Sequence, residues 1–324
     1  AADARQVLDQ GAQRDAGRRA PLHRPASPAR ARGVKKPKPP PPPPGVPHVH
    51  NPRRRPPPPL PKPSIAGAPP ADWSAAAFLI DKPHGWTSFD VCAKLRGALR
   101  GMTKKVGHAG TLDPAATGLL VVCAGKATKS VDSFVALDKE YTGTLRLGQA
   151  TPSLDAETAV SEEREWEHVT DADLSTAASA LTGALMQAPP MFSAVSVGGE
   201  RLYEAARRGE TRMRVPRAVS VRAFEVSRSP TCSDTGPRGS RDINFRIECS
   251  KGTYIRVLAA DLGTAVGSVA HLVALRRTRI GDARVEDAWS VEALVDAARA
   301  AREERERREE TDTGAADAAA ATPP

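Results

Sequence analysis

The sequence predicts an α+β protein built on a largely antiparallel sheet. Three observations carry this. Segments of strand character and segments of helical periodicity mix without the strict alternation of a parallel α/β fold. Residues 118–124 form a continuous apolar run, read as a buried strand. Residues 218–226 and 243–249 read as paired strands, and the segment between them, 227–241, is rich in Ser, Pro, Gly and Asp and is expected to be a surface loop.

The elements follow in order. Phe78, Leu79 and Ile80 read as a short strand. Thr87 and Asp90 stand at capping-box spacing and open a helix that carries Val91, Leu95 and Leu99 on one face. Residues 141–147 alternate like a strand. Residues 174–181 are a helix ended by Gly183, and 202–208 a short helix stopped by Gly209. Ile255, Leu258, Ala259 and Leu262 follow helical spacing, with Gly267 as C-cap. Residues 269–275 are apolar again, and 291–300 form a last helix.

Residues 1–75 hold 20 of the 30 prolines, including the runs 39–44 and 56–59, and Trp73 is their single aromatic. Such a segment cannot bury enough surface to offset its ordering entropy, so a disordered arm with polyproline-II stretches is expected. Three readings stand side by side: a solvated low-complexity arm, a transit segment for chloroplast or mitochondrion followed by a linker, and a basic RNA-binding arm with Lys35–Lys38 and Arg53–Arg55 as contacts. The expected organisation is this arm, a folded domain over residues 76–300, and a disordered charged and Ala-rich tail over 301–324.

With 324 residues, 40% of them apolar, the chain can hold a substantial core. No apolar stretch approaches the roughly 18 residues of a membrane span, so no membrane partner is expected. Cys92, Cys123, Cys232 and Cys249 are scattered with no C-x-x-C pair, against a zinc site or a disulfide framework. The net charge of +9 is misleading, because residues 1–75 alone carry 14 Lys+Arg against 4 Asp+Glu. The body over residues 76–300 is only about +2, so an RNA-binding surface there must be a local patch.

Five segments carry chemistry or stand close to it. Residues 107–120, G-H-A-G-T-L-D-P-A-A-T-G-L-L, place Asp113 before a proline, which stiffens the loop and presents a carboxylate just ahead of the buried strand. The alternative is an N-cap aspartate with proline at the first helical position. In residues 249–256, C-S-K-G-T-Y-I-R, Arg256 falls in a helix's first turn, where a cation is disfavoured unless a carboxylate or phosphate stands by; a surface arginine is the alternative. Lys139-Glu140-Tyr141 opens a strand in which Tyr141 is a pocket residue or an ordinary strand aromatic. Residues 187–194 form a rigid proline turn with little reactive chemistry. Residues 271–278 end a buried strand in a basic cluster that meets phosphates or forms a solvated edge.

Together, and in this order, these segments resemble the TruB family of tRNA pseudouridine synthases, over about Phe78 to Ala288. The resemblance implies the pseudouridine synthase fold, a mixed and largely antiparallel sheet flanked by helices with an RNA-binding catalytic cleft. It implies isomerisation of uridine to pseudouridine in RNA, with the T-loop uridine of tRNA as expected target. The family's catalytic aspartate falls on Asp113, its stacking tyrosine on Tyr141, and the Tyr and Arg of K-G-T-Y-I-R on Tyr254 and Arg256. The histidine that fills the space of the flipped nucleotide falls on His108, a base-pocket leucine on Leu275, and the lysine of D-K-P-x-G on Lys82, which helps shape the cleft.

Chemistry makes these roles coherent. The target base must leave its stack, at a cost of a few kcal/mol, and an aromatic face at Tyr141 would recover about 1–3 kcal/mol. Asp113 acts as nucleophile toward C1′ or C6, or helps remove the ribose 2′ proton. Tyr141 is a candidate for taking the C5 proton. Asp113 must be ionised, and Arg256 is expected to lower its pKa. No cofactor or metal is expected, since the isomerisation involves neither redox change nor phosphoryl transfer, and the expected partner is RNA, with the protein a monomer.

The chain departs from the family at Phe192, Ser196 and the run 151–155, none of which is expected to touch the chemistry. About 35 residues follow Ala288, so a further RNA-binding domain is expected to be absent or vestigial. Two other functions stay open: an RNA-folding chaperone, and a pseudouridine synthase acting on ribosomal or messenger RNA.

Overall fold

The computed structural model describes residues 60–231, 235–236 and 239–320, with side chains described through residue 311. The proline runs, Lys35–Lys38, Arg53–Arg55 and Cys232 lie outside the described residues. Ten strands form one sheet. In chain order they are β1 (Ala77–Lys82), β2 (Val106–His108), β3 (Thr117–Ala124), β4 (Lys139–Leu147), β5 (Gly183–Gln187), β6 (Arg217–Arg228), β7 (Asp242–Cys249), β8 (Ala270–Ile280), β9 (Ala283–Arg284) and β10 (Trp289–Ser290). Across the sheet the order is β10-β1-β3-β8-β4-β7-β6-β5, with β2 added to β3 and β9 to β8. Only β1 with β10 and β3 with β8 pair in parallel.

The helices are α1 (Ser88–Ala98), α2 (Val131–Ala136), α3 (Asp171–Ala180), α4 (Leu202–Arg207), α5 (Ile255–Ala265) and α6 (Val291–Ala320). Strand β3 is buried along nearly its whole length because it is covered on both faces. On one face, Leu120 and Val122 pack with α1, α6 and Trp73; on the other, Leu119 and Val121 pack with Phe134 of α2 and with Val285. The second half of the sheet, β4, β7 and β6, is covered by α3 and α5 through Leu174, Leu258 and Leu262. Helices α1 and α3 both start on capping boxes, Thr87 with Asp90 and Thr170 with Asp173, each worth about 1 kcal/mol.

Two domain expectations are corrected. Packing begins before residue 76: Ser64 donates its backbone N–H to Ala77 at 2.8 Å, and Trp73 stacks on Phe78 with ring centroids 5.6 Å apart. One large aromatic and a short backbone pairing outweigh the proline-rich composition locally. At the other end, the helix does not stop at residue 300 but runs to Ala320. The pairs Arg302–Glu306, Arg305–Glu309 and Glu304–Arg308 lie one turn apart along it, and such i,i+4 pairs support a helix without a core to face. The apolar run 269–275 also extends further as a strand than expected: β8 runs from Ala270 to Ile280 and carries Arg276 and Arg277 within the sheet.

The halves of the sheet meet at β3 and β8, which register at only two pairs, Arg276 with Thr117 and Arg277 with Gly118. Gly118 has φ +100°, and a Cβ there would stand 2.3 Å from the Arg277 carbonyl oxygen. Only glycine permits this approach.

Candidate active site

Asp113 sits in the loop between β2 and β3. No helix follows it: the chain turns, with Ala116 N–H donating to Asp113 O at 3.0 Å, and enters β3. The N-cap reading therefore fails. The loop is anchored on both sides of the aspartate. Ser88 Oγ accepts from Leu112 N–H at 2.9 Å and donates to Leu112 O at 3.3 Å. Pro114 O accepts from Gly85 N–H at 2.8 Å and from Lys82 Nζ at 3.2 Å.

Arg256 is in the first turn of α5 and is 5% exposed. Two carboxylates offset its unfavourable place in the helix dipole. Its Nε stands 3.1 Å from Asp113 Oδ2, and Nη1 stands 3.4 Å from Asp155 Oδ2. It also donates to Ser153 O at 2.9 Å and to Phe192 O at 2.7 Å. The segments around 151–155 and Phe192 thus hold the arginine that holds Asp113, which corrects the expectation that those departures stand clear of the chemistry. Leu154, between Ser153 and Asp155, has φ +63°, the one positive φ of a non-glycine among the described residues. Such a conformation costs about 1–2 kcal/mol and is tolerated where it aims a functional group.

The Asp113 side chain keeps 41% exposure toward the pocket mouth. Its pKa nevertheless lies above the ordinary aspartate value. Partial burial is the main cause and the Asp155 charge adds to it, while Arg256 and Lys82 pull the other way. Arg256 does lower it, as expected, but burial wins.

A cavity of about 390 Å³ opens in front of Asp113. Tyr141, Tyr254, Arg256 and Leu275 line it with Asp113, so five of the seven sequence-predicted residues come together. His108 and Lys82 do not line it. His108 is on β2, and its Nδ1 is buried without a hydrogen-bond partner; burial, with Arg277 adding, lowers its pKa. Lys82 is fully buried, with Nζ donating to Pro83 O, Trp86 O and Pro114 O at 2.8, 2.6 and 3.2 Å. Among the described residues no group of three His, Cys, Asp or Glu is placed to hold a metal ion, and no helix is long and apolar enough to cross a membrane.

The chain carrying this site is similar to known proteins. A sequence model described as TruB family pseudouridylate synthase (N terminal domain) matches residues 98–255. The tRNA pseudouridine synthase B of Paenarthrobacter aurescens is 46% identical over 220 residues, covering 67% of this chain and 68% of that protein. That of Chloroherpeton thalassium is 44% identical over 221 residues, covering 67% of this chain and 88% of that protein. The chain belongs to the TruB family. A solved structure described as a Cbf5-Nop10-Gar1 complex matches with a TM-score of 0.51 and 28% identity, covering 72% of this chain and 58% of that one. The chain thus spans less than two thirds of that structure's length. A second model, described as the tRNA pseudouridylate synthase B C-terminal domain, matches residues 256–313. The stretch it covers runs from α5 into α6, and its strands lie in the main sheet.

Four residues of this TruB-family site were not singled out from sequence. Asp155 ends the departing run 151–155, and its acid was the available signal. Gln187 is 4% exposed and grips the backbone of Tyr254, accepting from its N–H at 3.0 Å and donating to its carbonyl at 3.4 Å. Tyr254 has no side-chain cap at the start of α5, so Gln187 positions the turn that carries both Tyr254 and Arg256. Lys139 lines the cavity and donates to Phe134 O, Val135 O and Leu137 O at the end of α2. Arg277 lines it too and is 1% exposed. The basic cluster is therefore neither a solvated edge nor open to phosphates at Arg277, while Arg276 is paired with Asp81 at 2.7 Å.

Proposed function

We propose that this chain isomerises a uridine of tRNA to pseudouridine, with the T-loop uridine as target and Asp113 as the reacting carboxylate. The observation that carries the reading is the Asp113–Arg256 pair: the carboxylate is oriented at 3.1 Å yet 41% exposed to a cavity of nucleobase scale. Tyr141 supplies the face on which the everted base stacks, and Tyr254 and Leu275 bound the space for it. His108 fills the gap left in the RNA stack, and Lys82 stiffens the Asp113 loop from below. Arg256 keeps Asp113 aligned for attack on the ribose or the ring. Burial draws the Asp113 pKa upward from the ordinary aspartate value, which makes the carboxylate a stronger base for a reaction that runs through loss of the ribose 2′ proton.

A monomer is the proposed working unit. The folded catalytic body then extends from about residue 60 into α6. The test is release of tritium from C5-labelled tRNA. The parent protein should release it and Asp113→Ala should not. Binding and refolding of tRNA without release would instead mark an RNA chaperone, and release from ribosomal RNA alone would move the substrate.

A further inference from the structure

Arg277 is buried, lines the reaction cavity and has no carboxylate within ion-pair distance among the described residues. Its guanidinium donates to backbone oxygens, Nε to Leu119 O at 2.7 Å and Nη2 to Gly110 O at 3.2 Å, and its other polar neighbour is the uncharged Tyr141 hydroxyl, with which it shares a side-chain hydrogen bond. Carbonyl oxygens satisfy N–H groups but leave the charge in place. Lys139, beside it in the cavity wall, is held the same way, by three carbonyls and no carboxylate. The cavity therefore faces two cations that lack counterions here, while the Arg256 cluster carries two carboxylates for one guanidinium. A buried cation without a counterion is costly, and folds keep such groups where charge of the opposite sign appears during reaction.

Gly118 enforces the arrangement by bringing β3 onto the Arg277 backbone, where a Cβ would stand 2.3 Å from the Arg277 carbonyl oxygen, while Gly110 lies in ordinary contact with the guanidinium. The charge of Arg277 is felt by its neighbours Tyr141, Lys139 and His108.

We infer that Arg277, seconded by Lys139, stabilises the negative charge of the uracil ring while it is detached from the ribose. The inference rests on the isomerase reading above. When the N1–C1′ bond breaks, its electron pair stays on the ring, which becomes an anion. In one route C1′ bonds to the Asp113 carboxylate; in the other C2′ gives its proton to Asp113 and regains it later. The ring returns the pair by forming the C5–C1′ bond, which in the first route breaks the bond from C1′ to Asp113 and frees the carboxylate; the C5 proton leaves, and N1 gains one. The anion exists only between these events, so its stabilisation appears in turnover and not in RNA binding.

The experiment compares uridine with 5-fluorouridine at the target position of a T-loop RNA, measured as single-turnover loss of the N1–C1′ bond. Fluorine stabilises the ring anion by itself. Arg277→Lys should bind RNA like the parent and lose about 10²-fold in rate on uridine. Its loss on 5-fluorouridine should be smaller by about tenfold, or 1.4 kcal/mol. Equal losses on the two substrates would overturn the inference and leave Arg277 as scaffold. Weaker RNA binding with unchanged turnover would overturn it in favour of phosphate contact. Should the lysine variant fail to bind RNA because it is unfolded, the parent decides: a parent rate nearly indifferent to fluorine supports the inference, and one that follows the full acidity difference overturns it. A parent inactive on uridine RNA would instead remove the isomerase reading itself.

Discussion

Arg256 and Arg277 line the same cavity, are buried to nearly the same degree, and each donates to two backbone carbonyls. They differ in their carboxylates. Arg256 has Asp113 and Asp155 within 3.4 Å, whereas Arg277 has none within ion-pair distance among the described residues. The same side chain thus serves two ends. Where its charge is matched, it works as a clamp that fixes the direction of a carboxylate. Where its charge is unmatched, it works as a field. Carbonyl contacts anchor both, so what distinguishes them is the acid content of the segments around them, and that can be altered one atom at a time.

The severest break is at the matched side. Asp113→Asn keeps the shape and removes the charge, and should lower the rate by more than about 10⁴-fold with RNA binding intact, as read by single-turnover tritium release. Gln187→Leu leaves every charged group in place but frees the backbone of Tyr254. We expect it to lower turnover by about tenfold to a hundredfold, from loss of two hydrogen bonds worth about 1 kcal/mol each and the alignment they hold. An unchanged rate would show that α5 is fixed without it. Asp155→Asn should cost roughly tenfold in plateau rate and should also move the acid limb of the pH–rate profile downward. In the parent that limb is expected above the ordinary aspartate value because burial raises the Asp113 pKa and the Asp155 charge adds to it. An acid limb that stayed in place would separate Asp155 from Asp113.

The smallest effect is on stability. Burial lowers the Lys139 pKa from 10.5 to about 8. Between these values the folded protein sheds the proton while the unfolded chain keeps it, so this lysine's contribution grows as pH rises and is lost as pH falls through about 8. Lys82 behaves alike, also at about 8. Lys139→Met should therefore destabilise by about 1–3 kcal/mol at neutral pH through three deserted carbonyls. It should also flatten the parent's gain in urea midpoint between pH 8 and 10, while Lys82→Met tests the same rule away from the cavity.

The sequence makes the reactive side of this comparison legible and hides the other. Asp113, Tyr141, Tyr254, Arg256 and Leu275 stand in segments whose order is distinctive, and their strands and caps follow from periodicity. Arg277 reads as one more basic residue after a strand, because burial depends on Gly118 meeting it from 159 positions away in the chain. Gln187 reads as part of a proline turn, since its partner lies 67 residues on. Asp155 is an acid in a polar run until Arg256 reaches it. The long α6 was missed for a different reason: from residue 303 to residue 311 its side chains are exposed, and regular charge spacing supports the helix there.

The two-pair contact of β3 with β8 bears on how the protein meets a bulky substrate. One lobe carries Asp113 on a loop of β3; the other carries Tyr141, Arg256 and Leu275. Between them runs a narrow ligature, Thr117–Gly118 against Arg276–Arg277. A nucleotide held by both lobes at once ties them together alongside that ligature and makes its opening less favourable, so amide protons along it should exchange more slowly when RNA is bound.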